Sequence, residues 1–199
     1  MKTRAGLSVM FLFVMASLVI LPTGCAKKEE EHASNAQQPE GKVADIENPQ
    51  AEEAKQLSFE GVDIDGNQVS SAVLADAKIT MINLLATYCN PCLIEMPGLG
   101  ELAKEYDSGE FQIIGIISDV LETADQKTID LAKELITQTK AQYTHLLLNE
   151  SVYYALLTDV SAVPTTFFVD ENGVILDTVI GAMDKSAWEA KISELLGKE

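Results

Sequence analysis

Basic residues are scarce in this chain of 199 residues, and the shortage limits its possible functions. It has 14 Lys and Arg against 31 Asp and Glu, which gives a formal net charge of −17. A surface of that sign repels nucleic acid and anionic lipid headgroups, so we do not expect nucleic-acid binding. The chain is not poor in apolar residues: a hydrophobic content of 47% is that of a globular protein and not of a disordered one.

Cysteine and histidine are also few, and this bears on metal binding. The cysteines are Cys25, Cys89 and Cys92, and the histidines are His32 and His145. A closed zinc site needs four ligands, of which one CxxC pair supplies two. There is no second cysteine pair, and His145 stands alone in a strand pattern. We therefore expect no bound metal, and the sequence shows no NADPH or flavin motif, so we expect no cofactor.

The first 25 residues have the pattern of an export signal. Lys2 and Arg4 precede an uncharged apolar run over residues 7–21, and small residues follow it up to Cys25. This order is typical of a secretory signal, and the run is shorter than the roughly 20 residues of a membrane span. Removing residues 1–24 takes away two bases and no acid, so the net charge changes from −17 to −19.

Cys25 distinguishes a plain signal from a lipoprotein signal. The segment resembles a bacterial lipobox, in which the cysteine after the cleavage site receives a lipid. It departs from that pattern because Leu21 lies four residues before Cys25 instead of three, with Pro22 at the expected leucine position. The resemblance implies a protein anchored by lipidated Cys25 to the bacterial cell membrane, on its extracytoplasmic side. The alternative is a free thiol beside a chance signal end.

The remainder of the chain divides at about residue 55. Residues 25–55 are rich in Glu, Gln, Ala, Asn and Pro without apolar periodicity, which predicts a flexible acidic tether. Residues 56–199 contain strand-like and helix-like segments in alternation, beginning with a short hairpin that turns at Asp65-Gly66-Asn67. We predict strands over 79–86, 111–117, 143–148, 165–169 and 174–180. We predict helices over 92–107, interrupted and bent at Pro97, over 129–139 and 152–157, and a last one capped by Asp184. Alternation of this kind predicts a mostly parallel sheet with helices on both faces.

The segment Ala86-Thr87-Tyr88-Cys89-Asn90-Pro91-Cys92 carries the chemistry. It joins a predicted buried strand to the start of a helix, where unpaired amides and the helix dipole stabilise a thiolate. A bridge across two residues would close almost no loop, so this spacing favours redox chemistry over a structural role. We expect Cys89 to attack and Cys92 to resolve the mixed disulfide.

Three segments, ATYCNPC, LIEMP and VPTTFFVDENG, resemble the TlpA/ResA-like branch of thioredoxin-fold disulfide oxidoreductases. The resemblance covers about residues 57–197. It implies a thioredoxin-like three-layer α/β sandwich with a central mixed sheet, helices on both faces and an N-terminal β-hairpin. It also implies that Pro164 follows Val163 in a cis bond and packs against a redox-active disulfide between Cys89 and Cys92. Without the resemblance, Pro164 could be an ordinary proline at a strand start.

The same resemblance suggests further site residues. Asn83 lies where thioredoxin has a buried acid, and Glu95 matches an acid near the active site of ResA-like proteins. A partly buried Glu95 would have a raised pKa and could exchange a proton with Cys92; the alternative is a solvent-facing helix glutamate. Tyr88 replaces the usual tryptophan and, with Val163 and Thr165, is expected to contact the substrate.

Four functions remain open from the sequence. The first is a reductase of exported disulfide-containing proteins, such as apocytochrome c, a sporulation protein or a methionine sulfoxide reductase, recharged by a membrane-embedded thiol electron donor. The second is a disulfide-forming oxidase with the same residues. The third is a thiol peroxidase of the peroxiredoxin type, but the Thr or Ser and the Pro that it needs are replaced by Ala86 and Ile82. The fourth is a binding lipoprotein that does not use its CxxC.

Overall fold

The computed structural model describes residues 56–198, which begin with the predicted hairpin. Strands β1 (Glu60–Val62) and β2 (Gln68–Ser70) pair antiparallel. The turn between them needs Gly66, whose φ of 90° is unfavourable for residues with a side chain. The carboxyl of Asp63 holds the turn by accepting hydrogen bonds from the amides of Asp65 and Asn67. A 3-10 helix over Ser71–Asp76 follows.

The remaining elements alternate between strand and helix in the predicted order. Asp184 caps the last helix as predicted, since its carboxyl accepts a hydrogen bond from the amide of Ala187 at 2.9 Å. The elements are β3 (Ile79–Leu85), α1 (Asn90–Glu105), β4 (Phe111–Leu121), α2 (Gln126–Thr139), β5 (Thr144–Leu148), α3 (Glu150–Val152), a π-helix (Tyr153–Leu157), β6 (Thr165–Asp170), β7 (Ile175–Ile180) and α4 (Lys185–Leu195).

The central sheet has five strands in the order β5-β4-β3-β6-β7. Strands β3, β4 and β5 are parallel, while β6 pairs antiparallel with β3 and β7 antiparallel with β6. The sheet is therefore mixed, as predicted. Strand β3 is buried along its whole length, which agrees with its mostly apolar sequence.

Successive residues of the strands pack into different apolar clusters. Ile82, Ile114 and Leu146 pack on one face, with side chains from the hairpin, the 3-10 helix and the π-helix. On the other face a disulfide cluster contains Leu85, Met96, Ile117 and both cysteines, and a tryptophan cluster contains Met81, Leu99, Ile113 and Trp188. The domain is a three-layer α/β sandwich, as expected from the resemblance.

Helix α1 differs from its prediction at Pro97. A proline lacks an amide hydrogen and is expected to interrupt and bend the helix, but α1 is uninterrupted from Asn90 to Glu105. Met96 and Leu99 are fully buried on either side of it. We attribute the continuity to this burial, which offsets the lost hydrogen bond. The predicted short helix at 152–157 is also different, since it consists of α3 and a π-helix.

Several predictions fall on residues outside the described range. These are the signal peptide over 1–24, lipidated Cys25, the tether over 25–55 and His32. From Gln56 to Lys198, no helix is both long enough and apolar enough to span a bilayer.

Candidate active site

Cys89 and Cys92 are joined by a disulfide at the start of helix α1. Cys89 is the N-cap residue, with extended backbone angles (φ −86°, ψ 96°), and the helix begins at Asn90. Pro91 fits the first helical turn, because the amide hydrogen that it lacks would have no partner there. Cys89 is 6% exposed, whereas Cys92 is fully buried. The first cysteine is thus the one that a partner protein can reach.

The helix start also supplies a hydrogen bond to the sulfur of Cys89. The amide nitrogen of Cys92 donates to Cys89 Sγ at 3.3 Å. This amide and the positive end of the α1 dipole favour negative charge on the sulfur when the disulfide is reduced. The arrangement can therefore produce a nucleophilic thiolate at Cys89.

The loop before β6 faces the disulfide. The Val163–Pro164 peptide bond is cis, as the resemblance implies. The carbonyl oxygen of Val163 lies 3.7 Å from Cys89 Sγ. Thr165 is buried and its hydroxyl donates to the carbonyl of Ala162 at 2.8 Å, so its side chain holds the loop. The expected substrate contacts of Val163 and Thr165 remain predictions, and for Thr165 they would involve its backbone.

Glu95 is buried on α1, one helical turn after Cys92, with 5% of its surface exposed. The alternative of a solvent-facing glutamate is therefore wrong. Its Oε1 accepts a hydrogen bond from Asn83 Nδ2 at 3.0 Å, and its Oε2 accepts one from the amide of Met183 at 3.2 Å. Burial raises the pKa of Glu95, although the hydrogen bonds from Asn83 and Met183 oppose this rise.

The positions of Glu95 and Cys92 suit proton exchange. Residues three apart on a helix are neighbours, with Cβ atoms about 5–6 Å apart. A buried carboxyl with a raised pKa holds a proton at a higher pH than an exposed one and can return it. Asn83 does not titrate, so of the two residues it is Glu95 that can exchange a proton with Cys92. Its role in the reaction remains a prediction.

Sequence reasoning missed Asp119, which fixes the turn before Cys89. Its carboxyl accepts hydrogen bonds from the amide of Thr87, at 2.9 Å, and from the Thr87 hydroxyl. Asp119 lies near the C-terminal end of β4, and the cysteines follow the C-terminal end of parallel strand β3. Because parallel neighbours end at the same edge of a sheet, this acid could have been identified from the predicted strands.

The surface beside Cys89 is apolar and acidic. Tyr88 is 75% exposed, and Ile94 of α1 is exposed as well. No Lys, Arg or His occurs from Thr87 to Ala103. Within the part of the chain that the structure describes, no three His, Cys, Asp or Glu side chains could hold a metal ion together. His145 lies buried in β5.

Comparison with known proteins agrees with this geometry. The model of the AhpC/TSA family matches residues 51–178. Thioredoxin-like protein YneN of Bacillus subtilis (strain 168) is 30% identical over 129 residues, which cover 62% of this chain and 68% of that protein. Thiol-disulfide oxidoreductase ResA of Bacillus cereus (strain ZK) is 26% identical over 138 residues, 69% of this chain and 75% of that one. The crystal structure of a thiol:disulfide interchange protein from Chlorobium tepidum TLS superposes with a TM-score of 0.62 at 24% identity, covering 74% of this chain and 99% of that one, and has the same fold.

Proposed function

The chain belongs to the AhpC/TSA family and is a thiol-disulfide oxidoreductase of the ResA type, and from this premise we propose that it reduces disulfides in exported proteins. The observation that carries the proposal is the Cys89–Cys92 disulfide at the start of α1, in which Cys89 is slightly exposed and Cys92 is fully buried. This asymmetry gives the two cysteines different roles.

The proposed reaction transfers two electrons from the Cys89–Cys92 dithiol to a partner disulfide. The Cys89 thiolate attacks one partner sulfur, the partner S–S bond breaks, and the other partner sulfur leaves as a thiolate. Glu95 then takes the proton of Cys92, whose thiolate attacks Cys89 Sγ and releases the second partner sulfur. The Cys89–Cys92 disulfide forms, the partner is reduced, and the proton on Glu95 passes to a departing thiolate.

The surroundings of Cys89 support the reducing direction. A strongly oxidising protein such as DsbA has a stabilised reduced form. Here the helix start stabilises a thiolate, but no basic residue occurs from Thr87 to Ala103 and acidic Asp119 contacts Thr87. Negative charge nearby disfavours the thiolate and thereby favours the disulfide. A pair that favours its disulfide gives up electrons readily.

The partner would bind beside Cys89 as an extended chain. The carbonyl oxygen of Val163 lies 3.7 Å from Cys89 Sγ and could accept a hydrogen bond from a partner backbone, as in strand addition. Exposed Tyr88 offers an apolar contact next to the thiol. We infer that the partners are exported proteins such as apocytochrome c or a methionine sulfoxide reductase.

The proposed location follows from the sequence of the first 25 residues. A lipid on Cys25 would hold the domain at the extracytoplasmic side of the bacterial cell membrane, with residues 25–55 as a tether. The electrons would come from a membrane-embedded thiol carrier, by the same exchange chemistry run in reverse. No further cofactor is needed for either step.

A trapping experiment tests the roles of the two cysteines. In the full chain, Cys92→Ser should accumulate mixed disulfides through Cys89, and mass spectrometry of the captured proteins identifies the substrates. The matched control, Cys89→Ser, should capture none, because Cys92 is fully buried. Capture by the control and not by Cys92→Ser would reverse the assigned roles.

The direction of electron flow is tested by the reduction potential. Equilibration with a thiol redox buffer should give a value nearer to the about −270 mV of thioredoxin than to the about −120 mV of DsbA. A value near that of DsbA would identify a disulfide-forming oxidase. Peroxide consumption is not expected, since buried Ala86 has no hydroxyl group and buried Ile82 stands where a peroxiredoxin has proline.

A further inference from the structure

A row of buried polar residues crosses the sheet beside Glu95. Thr166 of β6, Asn83 of β3, Gly115 of β4 and His145 of β5 lie directly opposite one another. Residues in such register point to the same face. Asn83, Thr166 and His145 are each at most 1% exposed. Along β3, Asn83 lies between Met81 of the tryptophan cluster and Leu85 of the disulfide cluster.

Gly115 leaves room for the imidazole of His145. A Cβ atom on Gly115 would lie 2.5 Å from His145 Cδ2 and 3.0 Å from His145 Nε2. The ring therefore lies over the backbone of β4, the strand that separates His145 from Asn83. Any other residue at this position would push the ring away.

The hydrogen bond of His145 fixes where its proton is. His145 Nδ1 lies 2.8 Å from the carbonyl oxygen of Tyr143. A carbonyl only accepts, so Nδ1 carries the hydrogen and Nε2 has a lone pair. Burial lowers the pKa of His145 to about 4, although the Tyr143 carbonyl and Asp65 oppose this, and the ring is neutral at pH 7. His145 Nε2 is buried without a hydrogen-bond partner among the described residues.

The amide of Asn83 presents a second acceptor without a donor. Its Nδ2 donates to Glu95 Oε1 and to Thr166 Oγ1, each at 3.0 Å. Both N–H groups are thus used, and Asn83 Oδ1 has no partner among the residues described. Glu95 accepts at both oxygens, which is the arrangement of an ionised carboxylate. A buried acceptor without a donor is costly, and here there are two, on strands β3 and β5 with Gly115 of β4 between them.

One rotation satisfies both acceptors once Glu95 is protonated. We propose that Asn83 is a proton-dependent switch and that His145 is a positioning residue for it. When Glu95 takes the proton of Cys92, the Asn83 amide turns by half a rotation and its Oδ1 accepts the new Glu95 O–H. Asn83 Nδ2 then donates to His145 Nε2, and the Thr166 hydroxyl turns to donate to Asn83 Oδ1. The inference rests on the proposed role of Glu95. The only covalent change is the transfer of the proton from Cys92 to Glu95.

The other ionisable groups around His145 do not replace this partner. Tyr143 stacks on the His145 ring with 4.4 Å between centroids. Burial and the negative charge of Glu95 raise the pKa of Tyr143 above its ordinary value, so it stays protonated. Asp65 of the hairpin turn and Lys133 of α2 line a cleft of about 560 Å³ that His145 also borders. They pair with each other at 2.9 Å, and Asp63 is bonded within its own turn. The neutral acceptor at His145 Nε2 therefore favours the protonated state of Glu95.

The test measures the protonation of Glu95 directly. In the reduced full chain with ¹³C-labelled glutamate, the Glu95 carboxyl signal is assigned by its loss in Glu95→Gln and followed against pH. His145→Leu should lower the proton affinity of Glu95 about tenfold, the effect of one lost hydrogen bond. His145→Gln should restore most of it, because its amide oxygen can accept from Asn83. Thr80→Val is the matched control. Thr80 is buried on the same strand as Asn83 but on the opposite face of the sheet, so its replacement should leave the titration of Glu95 unchanged.

Two results would overturn the switch. One is an unchanged Glu95 titration in folded His145→Leu. The other, which needs no variant, is a ¹⁵N signal of His145 Nε2 in the wild-type chain that does not shift when Glu95 gains its proton. Because neither readout depends on thiol exchange, they separate this inference from the proposed function. If Glu95→Gln reduced partner disulfides as fast as the wild type, the proposed proton transfer by Glu95 would be wrong. The titration of Glu95 in the wild type and in His145→Leu would still test the Asn83 switch.

Discussion

Replacing Gly100 by alanine adds a methyl group where helix α1 contacts the backbone between α2 and β5. The new Cβ would meet the carbonyl oxygen of Lys140 and lie 3.0 Å from the Cα of buried Ala141. These are backbone atoms, which cannot turn aside as a flexible side chain does. Gly98, two residues earlier on the same helix, provides a matched control. Its added Cβ would lie 3.2 Å from Lys185 Cβ and 3.6 Å from Lys185 Cα.

The expected effects differ in sign. Overpacking against a fixed backbone costs about 1–3 kcal/mol, and alanine returns up to about 1 kcal/mol of helix propensity. Gly100→Ala should therefore lower the free energy of unfolding by about 1–2 kcal/mol. For a domain of this size the melting temperature would fall by roughly 3–8 °C. Gly98→Ala gains the same propensity with a small adjustment at Lys185, so its stability should be equal to the wild type or up to about 1 kcal/mol higher.

Urea unfolding of the oxidised proteins, followed by far-UV circular dichroism, measures both variants. The slope of the unfolding free energy with urea should be the same in all three proteins, so that midpoints report stability. Equal stability of Gly100→Ala and the wild type would show that the contact with the Lys140 carbonyl does not set the position of α1. Equal losses in both variants would show that glycine is needed on this helix for another reason.

Three further changes have defined outcomes. Burial raises the pKa of Asp63, but hydrogen bonds from Asn67, Asp65 and Gly66 outweigh this effect and lower the pKa below 3.8. Asp63→Asn should therefore be less stable than the wild type in urea at pH 7. The difference should vanish as the pH falls through the folded-state pKa of Asp63. Tyr88→Ala should slow the reduction of protein disulfides but not of a small disulfide, without loss of thermal stability, because the side chain is mostly exposed. Trp188→Ala removes a fully buried side chain that packs on Phe168 and should cost about 3–5 kcal/mol in urea unfolding.

Much of the fold could be predicted because local signals agreed with the tertiary structure. The apolar runs at β3 and β4 are buried strands, Gly66 provides the turn of the hairpin, and Asp184 caps α4. The sequence places the CxxC pair at a helix start, and Cys89 is the N-cap of α1. In each case the signal lies within one short segment of the chain, so it can be recognised from the sequence alone.

The features that the sequence left open or missed depend on several segments at once. Glu95 is buried because α1 packs over β3 and the segment before α4 brings the amide of Met183 to its carboxyl. The helical pattern around Glu95 is compatible with either burial or exposure. The sequence predicts an ordinary strand residue at His145, because nothing near it in sequence indicates that Gly115 lies opposite. It predicts an interruption of the helix at Pro97, because the local preference of proline takes no account of how α1 packs in the fold.

The hairpin also covers edge strand β5 of the central sheet. Asp63 forms a bridge with Leu146, and the amide of Ile64 donates to the carbonyl of His145 at 2.8 Å, so backbone groups of border strand β5 are already engaged. A shortened domain that started at Ser71 would leave these backbone groups of β5 without hydrogen-bond partners, so they could pair with a strand of another chain. Attempts to produce the catalytic domain alone should therefore keep every residue from Gln56 onward, or the product will tend to aggregate.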